Sequence, residues 1–348
     1  MRPFARALTL AALSGVTAEF LLGDQWLSGA APIGTQLPEL ILFVVYYGSA
    51  AVLIREFTRR TGRGWPTILL LAFAFGMIEE GLLDLSLFNP HFAERSLIAF
   101  GFIPGIGIGG PWTIFVLTLH VVWSIGAPVA IAEALFPNPV RRRIPAVAVA
   151  PQTQAPWLRV PGLCVAGALY LVGAAAIGVV TLLGPTGFVA EWWQYASAAV
   201  VATAAIVVAF RLRRRAPRPA RSPRLGILVG FVGGTVFQLL EGWPHSVSPW
   251  LACLALLVVL GAGVWASIRF HLDPLGLATG AVFTYCWVGL RAASQTGGWP
   301  IAEQIVIVLL VVATLALALR TYSQWRSRDG ISGVASNGAN ATSANATG

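Results

Sequence analysis

The stretch Gly76-Met77-Ile78-Glu79-Glu80-Gly81-Leu82-Leu83-Asp84 sets three carboxylates inside an apolar run that holds no basic residue. A charge facing hydrocarbon is costly unless paired or protonated, so each of these side chains needs a reason. On an α-helix Glu80 and Asp84, spaced i,i+4, share a face, and Glu79 sits about 100° round. Adjacent carboxylates in a low dielectric repel each other, which is how a membrane protein builds a proton carrier or a general acid/base. His120 supplies a partner. Glu79 and Glu80 lie ~13 Å below the outer end of their run, and His120 lies ~12 Å below the same end of the next one. The matched depth predicts that Glu80 and His120 face each other on consecutive antiparallel helices. Glu79, Glu80 and His120 are therefore the candidate catalytic residues. Asp84 is expected at the mouth of their pocket and Ser124, one turn from His120, at its floor.

Glu19, Glu241 and Arg291 approach the same outer half and complete the expected set of substrate- or proton-binding groups. An ion pair of Arg291 with Glu241 or Glu303 is the structural reading. Polar groups can also simply tie helices together, which is the plain alternative for the whole cluster. Glu133 is expected at the inner interface. Glu241 and His245 have the i,i+4 spacing of metal ligands, but Pro244 interrupts the helix between them. Cys164, Cys253 and Cys286 lie apart within apolar runs and behave as small hydrophobes. No metal site and no cofactor is expected along the chain.

The elements that must position these groups are membrane spans. The 348 residues are 57% hydrophobic and 11% charged, with a mean hydropathy of +0.75, where a soluble domain carries about a quarter charged residues. The apolar excess falls in runs of about 20 residues, the length of a helix crossing ~30 Å of hydrocarbon. Ten are predicted, covering 4–22, 39–54, 65–88, 112–136, 160–183, 193–210, 225–243, 250–270, 275–294 and 301–319. The expected fold is an all-α polytopic bundle; a strand barrel would alternate in polarity instead. Residues 1–136 form a four-span part carrying the acidic and His cluster, and 160–320 form a six-span part. Residues 137–159 are a Pro-rich cytoplasmic linker, and 321–348 a tail with nothing to bury. Glu19 inside the first run argues against a cleaved signal peptide.

The chain has 23 basic residues, all Arg, the codon bias of a GC-rich bacterial genome. With the N-terminus inside, 21 of the 23 fall in inner segments, leaving Arg95 and Arg291 outside. The positive-inside rule thus predicts cytoplasmic termini in a bacterial plasma membrane. The Arg141–Arg143 and 211–224 loops would touch anionic lipid headgroups. Their placement accounts for the net charge of +9 without a nucleic-acid partner. Trp65, Trp112, Trp192, Trp193, Trp243, Trp250 and Trp299 fall near span ends as interfacial anchors.

Several strings of the N-terminal ~140 residues resemble a group of uncharacterised bacterial multi-pass membrane proteins. They are Tyr47-Gly48-Ser49-Ala50, Ile54-Arg55-Glu56, Gly64-Trp65-Pro66, Glu79-Glu80-Gly81-Leu82 with Ser86-Leu87-Phe88-Asn89-Pro90, and His120-Val121-Val122-Trp123-Ser124-Ile125. That resemblance implies ancestry and no activity. A looser one, confined to the paired glutamates, is to CAAX-protease and bacteriocin-processing membrane proteins. Those carry EExxxR and later histidines that position a water for peptide hydrolysis. Here Asp84 stands at the Arg position, and Phe115 lies five residues before His120 rather than four.

Three functions follow from these residues: a transporter or proton-coupled carrier, an intramembrane Glu/His hydrolase, or a non-catalytic assembly or sensor protein. No phosphate-binding loop, dinucleotide fingerprint or haem motif is present. The topology has a direct test. A C-terminal alkaline phosphatase fusion is expected to be inactive in intact cells; periplasmic phosphatase activity would reverse the orientation.

Overall fold

Hydrocarbon offers no hydrogen bonds, so each spanning segment must satisfy its own peptide groups, and a helix does so. The computed structural model describes residues 3–28, 33–137, 154–184, 187–212, 223–244 and 246–344. Among them ten helical rods follow one another. The first is α1 (Pro3–Gly15), extended by a π-turn, Val16–Phe20. The second is α2 (Ile33–Arg60), and the third α3 (Trp65–Ile78), extended by a second π-turn, Glu79–Leu83. In the fourth rod a third π-turn, His120–Gly126, joins α4 (Gly110–Leu119) to α5 (Ala127–Leu135). The remaining rods are α6 (Val160–Leu183), α7 (Trp192–Arg211), α8 (Pro223–Glu241), α9 (Pro249–Phe270), α10 (Pro274–Thr296) and α11 (Trp299–Ala344). A two-residue hairpin, Phe102–Ile103 with Ile108–Gly109, lies in the connection before α4.

Eight of the rods are long and apolar enough to cross a membrane. The other two are the first rod and α10. Outward-facing residues of the peripheral helices are large and apolar: Leu171, Leu183, Trp192, Ile268 and Leu309 are all exposed. Water would not tolerate so broad an apolar surface. The chain is an integral membrane protein.

Helix ends depart from the hydropathy runs where polar contacts override them. α2 reaches Arg60, because Arg55, Glu56 and Arg59 are buried by partners described below. The third rod stops at Leu83; Leu85 takes φ +65° and the chain turns through Phe88. The eleventh helix passes Leu319 and continues to Ala344. Tyr322 there donates to the Asp273 carboxylate at 2.6 Å, which holds that helix against the start of α10. The arginines of 141–143 and most of those in the 211–224 loop lie outside the described residues.

Helices from both sides of the linker pack on one another: α6 on α2, α7 on α3, and α10 and α11 on α5. The closest approach is between α8 and α10. Gly226 and Gly230 face Gly276 and Gly280, two small-xxx-small pairs that let backbones meet. A Cβ on Gly280 would press into the Ile227 carbonyl oxygen and the Phe231 nitrogen. Gly280→Val is therefore expected to lower stability by about 1–3 kcal/mol, the usual cost of overpacking. Gly261→Val, at a position with open space around it, should leave the thermal midpoint in detergent unchanged. Equal midpoints for the two variants would refute the packing assignment.

Candidate functional site

A π-turn bonds i to i+5 instead of i to i+4, rotating every side chain that follows it. The amide of Leu21 reaches the Val16 carbonyl at 2.8 Å, that of Asp84 reaches Glu79 at 2.9 Å, and that of Ala127 reaches Val122. The three π-turns carry Glu19, then Glu79 and Glu80, then His120 and Ser124. They meet inside the bundle. Gly76 makes room: a Cβ there would lie 3.1 Å from the His120 Cβ and 3.2 Å from its ring.

The imidazole of His120 stands between the two carboxylates. Its Nε2 is 2.5 Å from Glu80 Oε1 and its Nδ1 is 3.1 Å from Glu79 Oε2. The second oxygen of each carboxylate is held by a hydroxyl. Tyr47 donates to Glu79 Oε1, and Ser86 donates to Glu80 Oε2. Ser86 in turn accepts from the Trp112 indole at 3.3 Å. Ser124 Oγ lies 3.3 Å from His120 Nδ1. Ser14 of α1 braces this turn, its Oγ 2.6 Å from the Ser124 carbonyl and 3.1 Å from that of Tyr47. The Tyr47 ring stacks on His120 with centroids 6.0 Å apart, and Phe75 meets it edge-on at 5.8 Å. Glu79, Glu80 and His120 are all buried. Glu79 Oε2 is buried and makes no hydrogen bond. One ligand atom from each of the three lies within 4.8 Å of the other two, so they could hold a metal ion.

The contact expected from matched depth, Glu80 with His120, is present, and Ser124 Oγ stands 3.3 Å from the ring's Nδ1. One detail differs from the α-helical expectation. Glu79 does not point away; the wider winding turns it toward His120 along with Glu80. Asp84 lies within electrostatic reach of both glutamates and of His120. Half-buried beyond the π-turn, it accepts the Ser86 amide at 3.0 Å and so steadies the Ser86–Glu80 bond. Glu19 is half-buried and interacts with the same Tyr47 hydroxyl that serves Glu79. Tyr47 and Ser86 enter the sequence analysis only as members of the resembling strings, and their spacing from the glutamates carries no periodic signal.

The remaining outer groups stay apart from the centre. Arg291 is exposed, and no ion pair joins it to Glu241 or Glu303 among the described residues. Glu303 instead accepts the amides of Leu27 and Ser28, each at 2.7 Å. Glu241 is exposed at the end of α8, and His245 lies outside the described residues.

A second ionic centre closes the opposite end of the bundle. Glu133, expected at the interface, is buried there between Arg55 and Arg59, with bonds of 3.1 Å from Arg55 Nε and of 2.8 and 2.7 Å from Arg59. Arg55 also meets Glu56 at 2.5 Å and stacks 3.6 Å over the Trp157 ring. Glu56 accepts the amides of Trp157 and Leu158 at 2.8 and 3.2 Å. The buried cations Arg55 and Arg59 and the buried anions Glu56 and Glu133 thus balance while binding the end of the linker, with the part-exposed Arg60 3.7 Å from Glu56 at the rim. No protein-family model, curated protein or solved structure matches this chain.

Removing one partner of a buried pair leaves an uncompensated charge. Glu133→Ala is expected to cost about 3–5 kcal/mol, read from unfolding in detergent, far more than Glu241→Ala on the exposed end of α8. A near-neutral result for Glu133→Ala would show that water reaches the cluster.

Proposed function

We propose that this protein is a membrane carrier of the bacterial plasma membrane, with both termini in the cytoplasm and its coupling centre at Glu79, His120 and Glu80. One observation carries the reading. The His120 ring is flanked by a carboxylate at each nitrogen, in a buried cluster with one more acid than it has bases. A buried group of net negative charge requires a positive occupant, whether a proton or a larger cation. The balanced Arg55–Glu133 cluster has no such need and serves to hold the fold.

The surrounding bonds suit binding and release. Tyr47, Ser86 and Ser124 fix one atom of each central group, so a cargo meets preset oxygens and nitrogen at little ordering cost. Three π-turns at the same level supply local breaks in the helices, the kind of interruption at which carriers place their sites. Glu19, through Tyr47, extends the polar path from the centre toward the end of the first rod. By the arginine asymmetry that end faces outward.

The test is transport. Purified protein in liposomes with a pH-reporting dye inside is offered a panel of metal cations and basic organic solutes under an imposed membrane potential. Cargo-dependent proton movement is expected from the wild type and is expected to fall to background in Glu80→Gln, with Glu241→Gln unaffected. Cleavage of a membrane peptide by the same preparation, without any cargo movement, would overturn the carrier reading in favour of a hydrolase.

A further inference from the structure

Resting on the carrier reading, we infer that the centre's cargo is a divalent first-row transition cation, of the Zn²⁺ or Mn²⁺ type, ligated by Glu79, Glu80 and His120. The argument begins with which atoms are already committed. Tyr47 takes Glu79 Oε1, Ser86 takes Glu80 Oε2, and Ser124 faces His120 Nδ1. What remains on each group is one ligand atom: Glu79 Oε2, and the mutually paired Glu80 Oε1 and His120 Nε2. Glu79 Oε2 is the independent sign of a ligand: on a residue only 3% exposed it makes no hydrogen bond, although His120 Nδ1 stands 3.1 Å away. A buried acceptor left bare is costly and calls for an occupant.

The outer partners match those of a metal site. Ligating histidines pass their second ring proton to an acceptor that fixes the tautomer, and ligating carboxylates are themselves hydrogen-bonded. With its proton on Nδ1, which stands 3.1 Å from Glu79 Oε2 and 3.3 Å from Ser124 Oγ, His120 presents Nε2 as a lone pair. Nε2 and Glu80 Oε1 now stand 2.5 Å apart. Ligands at ~2.0–2.1 Å around a tetrahedral ion sit about 3.3 Å from each other. The pair therefore has to part by under about 1 Å.

Charge selects the valence. Two carboxylates and a neutral imidazole carry −2, so a divalent ion makes the complex neutral, while a monovalent ion would leave a net charge in a dry site. The donor set selects the class. Ca²⁺ needs six or more oxygens and Mg²⁺ keeps several waters; an imidazole with two carboxylates suits Zn²⁺, Fe²⁺ or Mn²⁺. Entry of the ion replaces the hydrogen bond between Nε2 and Glu80, and a proton bound in that bridge leaves to solvent.

The experiment uses the full chain, purified in detergent and stripped with a chelator, titrated with Zn²⁺ by calorimetry and with Co²⁺ by visible absorbance. One ion per chain is expected, with proton release that scales with buffer ionisation. Glu79→Gln, Glu80→Gln and His120→Gln should each weaken binding at least 100-fold. Ser124→Ala should weaken it roughly 10-fold by loosening the ring. Ser124→Ala removes only a hydroxyl, so it carries the test if a ligand variant fails to fold. Gly261→Val should bind as the wild type does. Wild-type affinity weaker than about 1 mM for Zn²⁺, Mn²⁺ and Co²⁺, or binding that survives all of the ligand variants and Ser124→Ala, would overturn the inference. Zn²⁺ uptake into proteoliposomes separates the two claims. Binding without flux removes the carrier and keeps the site, whereas flux of organic cations without metal binding does the reverse.

Discussion

A charge taken out of water must meet its opposite nearby, and this requirement orders the whole bundle. The chain buries two ionic centres, one toward each end. In the first, Arg55 and Arg59 face Glu56 and Glu133, every charge has a counter-charge, and the linker backbone supplies the remaining donors. In the second, two glutamates share one histidine, with hydroxyls taking up the other oxygens. A compensated cluster is complete as it stands and can only hold helices together. An acidic excess is complete only when something positive arrives.

The acidic centre depends on a local departure from regular helix. An α-helix fixes neighbouring residues about 100° apart, so from a regular third rod Glu79 and Glu80 would meet one ring only at a wide angle. The π-turn at Glu79–Leu83 changes that spacing, and the one at His120–Gly126 turns the histidine to meet them. Such turns weaken the ladder and need outside support. Here the support comes from packing: Gly76 allows close approach, Tyr47 and Phe75 wall the ring, and Ser14 braces the turn from α1. Elsewhere glycines do the same for the frame, most tightly between α8 and α10.

Much of this was legible in the chain. Long apolar runs read as spans, and a span must be helical because a free peptide group cannot face lipid. The number of rods, the all-helical class and the likeness in depth of Glu80 and His120 follow from hydropathy and the 1.5 Å rise per residue. So does the importance of Glu79, since a carboxylate in such a run is conspicuous by its cost.

Other features depended on tertiary contacts. Which face Glu79 presents depended on a π-turn, whose extra residue is stabilised by neighbours and carries no local signal. That Tyr47 and Ser86 hold the carboxylates depended on α2 and the turn after Leu83 arriving at one place. Glu133 looked interfacial by position and is buried because two arginines from α2 reach it. Arg291, Glu241 and Glu303 looked like partners by level alone, but level says nothing of direction around a helix axis, and they lie apart. Sequence determines how deep a residue lies; only packing determines what it faces.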